Sequence, residues 1–95
     1  MEHHSLLELP GQLILTNSDL KVSMKGQQYI TIYFEQPNKD GSDFNSMQID
    51  YPDMTPQKVI GFTDTEITSL LSEAEKIGDI ALLRAQEDAY ANRVS

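Results

Sequence analysis

Cysteine is absent from this chain of 95 residues, and so is tryptophan. Without cysteine there is neither a disulfide framework nor a thiolate metal centre, and a reducing, cytoplasmic setting is the expectation. Histidine is scarce and poorly placed for catalysis: its two copies, His3 and His4, stand at the start of the chain. The usual bases and nucleophiles are therefore missing from the interior-forming segments. The five glycines, at positions 11, 26, 41, 61 and 78, are scattered singly, so no glycine-rich phosphate cradle exists. No stretch approaches the roughly 20 apolar residues of a membrane span. The opening M-E-H-H-S-L-L-E-L-P-G lacks the basic and long apolar regions of a signal peptide.

Positive charge is also in short supply. Seven Lys and Arg against fifteen Asp and Glu leave a formal net charge of −8. That balance opposes direct binding to nucleic acid, whose affinity comes largely from Lys and Arg on phosphates, and opposes anionic membrane surfaces. It favours attraction to a basic protein face.

What the chain does contain is clearest at residues 61–79. Thr63 followed by Glu66 is a capping box, with Phe62 and Ile67 at the spacing of a hydrophobic staple. Asp64 and Glu66 put negative charge at the positive end of the helix dipole. Ile67, Leu70, Leu71, Ala74 and Ile77 then recur on one helical face, which must lie on something apolar. Beyond it, Gly78 suggests a break, because glycine costs about 1 kcal/mol inside a helix. Two arrangements follow. Either a second helix begins at Asp79, or one long helix carries a second apolar face through Ile80, Leu83 and Tyr90, and such a face needs a partner. The break is the expectation.

The segments before the helix supply its bed. Residues 1–11 read as a frayed terminus, since Pro10 and Gly11 leave room for one helical turn at most after Ser5. Residues 12–16 read as a central strand and Asn17-Ser18-Asp19 as a turn. In residues 20–25, Leu20, Val22 and Met24 alternate with Lys21, Ser23 and Lys25. A three-residue loop at 26–28 then aligns Ile30, Ile32 and Phe34 with that apolar set and turns Tyr29 and Tyr33 to the opposite face. Residues 37–43 form a polar hairpin loop. Residues 44–51 return with Met47, Ile49 and Tyr51 inward, and residues 58–62 give a short edge strand. Strands followed by helix imply a single α+β domain: an antiparallel sheet of three to five strands over residues 12–62, with one kinked or two helices packed on one face.

Candidate chemistry is thin. In N-K-D-G-S-D, residues 38–43, Asn38 and Asp40 fall at calcium-loop positions when Gly41 is taken as the loop glycine. Gln36 and Met47 then occupy the first and last ligand positions, and the last must be a bidentate acid. A hairpin turn is the better reading, and no metal or cofactor is expected. Asp50 and Asp53 form the kind of acidic pair that fifteen acids in a short chain produce by chance.

The expectation is a non-catalytic binding protein, a regulator, inhibitor or accessory subunit that docks on a larger basic protein. Its candidate contact residues form two groups. Tyr29, Tyr33, Glu35, Asp50 and Asp53 lie on and around the strands, and Ile80, Leu83, Glu87, Asp88 and Tyr90 lie on the helix, because tyrosines and unpartnered apolar side chains favour interfaces. Two alternatives stand beside it. One is a nucleic-acid mimic, of the kind encoded by phages and mobile elements, whose carboxylates imitate phosphates. The other is a structural module that self-associates as a homodimer through the C-terminal helix.

Overall fold

The computed structural model describes residues 3–94. Six strands precede one helix: β1 His3–Leu9, β2 Leu13–Ser18, β3 Lys21–Val22, β4 Gln28–Pro37, β5 Phe44–Tyr51, β6 Pro56–Ile60 and α1 Asp64–Val94. The strands form an antiparallel sheet in the order β1-β2-β4-β5-β6, with the two-residue β3 paired to β4 beside the end of β2. This is an α+β fold with the helix on one face of the sheet.

Alternation decides which side chains meet the helix. Register places Leu15 opposite Phe34 and Phe34 opposite Met47. Ile32 faces Ile49, and Ile30 faces Tyr51. Leu15, Ile30, Ile32, Phe34, Met47 and Ile49 all lie at 0–1% exposure and form the centre of the core. Each contributes on the order of 1.5–3 kcal/mol by leaving water. Leu70, Ala74, Ala81 and Ala85 of α1 are buried against them. The inward set Met47, Ile49 and Tyr51 is as the alternation requires.

The helix starts where its capping box says. The Thr63 amide donates to Glu66 Oε1 at 2.9 Å, and the Glu66 amide donates to Thr63 Oγ1 at 3.2 Å. Phe62 is buried beside the cap. Gly78, however, does not break the helix, which runs on to Val94. A Cβ at Gly78 would stand 2.2 Å from the Tyr51 ring. The glycine is a notch for that ring, and the Tyr51 hydroxyl passes over it to donate to Asp79 Oδ1 at 2.5 Å. Packing against the sheet outweighs the local helix cost of about 1 kcal/mol.

Three other expectations are corrected. Residues 3–9 are an ordered edge strand, carried by Leu7 opposite Leu15 and Leu9 opposite Leu13, with an irregularity between Ser5 and Leu7. The sheet therefore begins at His3 rather than at residue 12. Asn17 and Ser18 belong to β2 and are buried, because the Ser18 hydroxyl accepts the Thr31 amide at 2.9 Å where a ladder partner would otherwise stand. Residues 20–25 yield only the two-residue β3. The connection to β4 is longer than three residues, with the Ser23 amide donating to the Gln27 carbonyl, so Val22 and Met24 are left exposed. The face assignment still stands, since Val22 pairs with Gln28, two residues before the buried Ile30.

Candidate functional site

The face of the sheet turned away from α1 can be built row by row from the register. One row runs Ile14–Glu35–Ser46–Ile60, the next Ser5–Thr16–Tyr33–Gln48–Gln57. A third includes Thr31 opposite Asp50, and Lys21 opposite Tyr29 closes the end. Alternation thus puts Tyr29, Tyr33, Glu35 and Asp50 on one surface, the face on which Tyr29 and Tyr33 are expected.

Directional contacts fix this surface. Lys21 Nζ donates to Thr31 Oγ1 at 2.8 Å, and the Thr31 hydroxyl donates to Asp50 Oδ1 at 2.8 Å. Gln57 Nε2 reaches Asp50 Oδ2 at 3.5 Å, the outer limit of such a bond. The Lys21 ammonium also stands 5.9 Å from the centre of the Tyr29 ring, within cation–π range. His3 stacks on Tyr33 with ring centroids 3.8 Å apart and planes 14° from parallel. Partial burial, then the Asp50 charge, push the Tyr33 phenol above its ordinary pKa, and the Thr31 hydroxyl opposes them.

Two hollows open on this surface. Tyr29, Asp50 and Asp53 meet with Gln28 and Pro52 around one of about 700 Å³. Tyr33 and Glu35 meet with His3, Lys58 and Ile60 around another of about 510 Å³. Glu35 and Asp53 take part in no ion pair among the described residues.

The helix group separates. Ile80, Leu83 and Tyr90 are 55%, 53% and 67% exposed, and Glu87 beside them is exposed too. Asp88 points to the other side, into a cleft of about 670 Å³ between the last turns of α1 and the β1–β2 end of the sheet. His4, Asp19 and Arg84 also line that cleft, and His4 Nε2 lies 2.5 Å from Asp19 Oδ1.

The sequence places Lys21 opposite the apolar set, but His3, Lys21, Thr31 and Gln57 were all missed as candidate contact residues. Lys21 and Thr31 were findable by parity, since both alternate against the apolar set. His3 carried no local signal, because its place depends on β1 pairing with β2. The 38–43 loop is a hairpin turn. Asn38 Oδ1 and Asp40 Oδ1 both accept the Ser42 amide, and the Ser42 hydroxyl holds the Asp40 carboxyl below its ordinary pKa. Among the described residues no group of three or more His, Asp and Glu is placed to share a metal ion. No helix there is long and apolar enough to cross a membrane. Comparison with family models, with curated proteins and with solved structures finds no match to this chain.

Proposed function

We propose that this protein is a non-catalytic binding module whose open sheet face docks a Lys- and Arg-rich segment of a partner protein in the cytoplasm. The observation that carries the reading is the arrangement of Tyr29, Tyr33, Glu35, Asp50 and Asp53 around two hollows, with the Glu35 and Asp53 carboxylates outside any ion pair among the described residues. Lys21 is the precedent within the chain: its ammonium stands near the Tyr29 ring and donates to Thr31, which in turn donates to Asp50. A partner's basic side chain meets the same chemistry at Asp53 and Glu35, carboxylate for charge and tyrosine face for cation–π contact. The net charge of −8 steers a basic partner toward the surface.

The test is a titration of the isotopically labelled protein with a library of Lys- and Arg-rich peptides, followed by NMR at low and high salt. Salt-sensitive shifts centred on Tyr29, Tyr33 and Asp53, and lost in Tyr29→Ala and Asp53→Asn, are expected. Shifts that map elsewhere, or a full library without a single mapped binder, would sink the reading.

A further inference from the structure

We infer that a second copy of this chain covers the outer face of α1, the two helices packing antiparallel about a twofold axis. The continuity of α1 through Gly78 creates the surface. Glu73, Lys76, Ile80, Leu83, Glu87 and Tyr90 recur at alternating spacings of three and four residues, which is the spacing of a coiled-coil seam. At about 100° per residue, this seam lies opposite the buried stripe Ala74, Gly78, Ala81 and Ala85. The sheet therefore does not obstruct it. The seam spans about 26 Å of helix axis.

The charges select one pairing. With the helices antiparallel and the axis between Ile80 and Leu83, Ile80 meets the partner's Leu83 and Leu83 meets the partner's Ile80. Four apolar side chains then cluster at the axis. Lys76 meets the partner's Glu87 on each side, and Glu73 meets the partner's Tyr90, a carboxylate facing a phenol donor. Every layer is compatible with its counterpart. A parallel pair in register sets Glu73, Lys76 and Glu87 each against the partner's identical residue, three repulsive layers. Sliding the antiparallel pair by one heptad puts Glu87 on the partner's Leu83 or Glu73 on the partner's Leu83, depending on direction, and buries a charge on an apolar group. A self-complementary face of this kind is what a twofold dimer requires.

The pairing needs nothing from the sheet-face reading. Combined with it, the dimer places helices at the centre and sheets outside, so that two open faces point outward and can engage a repetitive or dimeric target bivalently.

Sedimentation of the full chain from micromolar to near-millimolar concentration reads the association, and circular dichroism confirms that each variant folds. A monomer–dimer equilibrium is expected, with Leu83→Glu raising the dissociation constant at least about a hundredfold, as charges replace two central anchors per dimer. A wild-type chain that stays monomeric throughout overturns the proposal, as does a dimer indifferent to Leu83→Glu. The natural chain has no cysteine, so orientation can be read by crosslinking. Chains carrying Lys76→Cys, mixed under mild oxidation with chains carrying Glu87→Cys, should give the mixed disulfide dimer, whereas Lys76→Cys alone should give none. Efficient crosslinking of Lys76→Cys to itself would overturn the antiparallel pairing.

Discussion

The same strands are stabilised by different forces on their two faces. Beneath α1 the sheet presents Leu15, Ile32, Phe34, Met47 and Ile49, fully removed from water and held by non-directional burial. On the reverse, separated by one residue at each step, lie Thr16, Tyr33, Thr31, Gln48 and Asp50, arranged by hydrogen bonds and ring stacking. The covered face supplies stability without prescribing a chemical pattern. The open face supplies less stability but fixes the direction of Lys21, Thr31 and Asp50 through hydrogen bonds. The difference teaches that the helix frees the other face for a surface pattern, because the core is complete on one side.

The comparison breaks most readily at its apolar pole. Phe34→Ala should cost about 3–5 kcal/mol, the range for deleting a buried ring whose site collapses only in part. Its neighbour Tyr33 looks out from the opposite face, and Tyr33→Phe should cost no more than about 1 kcal/mol. Urea unfolding of the two variants measures the contrast. Comparable losses would show that the open face is part of the core.

Tyr51 belongs to the covered face yet behaves partly like the open one, and pH separates the two contributions. The hydrogen bond to Asp79, then burial, then the charges of Asp79 and Glu75, push the Tyr51 phenol up to about 12 from its ordinary 10. Folding therefore favours the protonated phenol. The stability it adds is fully present below the unfolded value near 10 and is lost as pH rises toward 12. Tyr33 acts in the same direction. Tyr51→Phe should flatten most of the alkaline slope while Tyr33→Phe removes a smaller part, and denaturation midpoints measured across that window decide.

The notch beneath Tyr51 gives a third, smaller effect. Gly78→Ala gains about 1 kcal/mol of helix propensity but places a methyl on the ring, and overpacking costs about 1–3 kcal/mol. A net loss is expected. In the shortened Tyr51→Val background the obstruction goes, and Gly78→Ala should become stabilising. An unchanged sign would remove the ring as the reason for the glycine.

These effects also show what local sequence could carry. The capping box at Thr63 and Glu66, the staple at Phe62 and the inward set on β5 were legible because neighbours in sequence satisfy them. Gly78 misled for a physical reason: a glycine required by another element's ring looks, in isolation, like a helix stop. The first strand was invisible because His3 and Leu7 gain their places from pairing with β2, with only a weak apolar pattern of their own. Asn17-Ser18 is turn chemistry that the fold uses to end a strand, its polar groups satisfied by Thr31 and the adjacent backbone. The facing of Tyr29 and Tyr33 away from the core was legible through parity alone. Asp88 could not be separated from Glu87 without knowing that the helix is continuous.

The finest division lies within the open face, between two threonines on neighbouring strands. Thr31 is 3% exposed and relays Lys21 to Asp50. Thr16 Oγ1, in the row of Tyr33, is buried with no hydrogen-bond partner among the described residues. Thr-to-Val exchanges a hydroxyl for a methyl at nearly constant shape, so the two substitutions differ chiefly in the bonds removed. Thr31→Val deprives an ammonium and a carboxylate of their link and should cost about 1–2 kcal/mol. Thr16→Val removes an unsatisfied oxygen and should be neutral or stabilising by up to about 1 kcal/mol. Equilibrium unfolding of the pair reads the difference directly: equal losses would mean that the relay adds nothing beyond β-sheet packing, and the open face would then be a passive surface instead of a prearranged one.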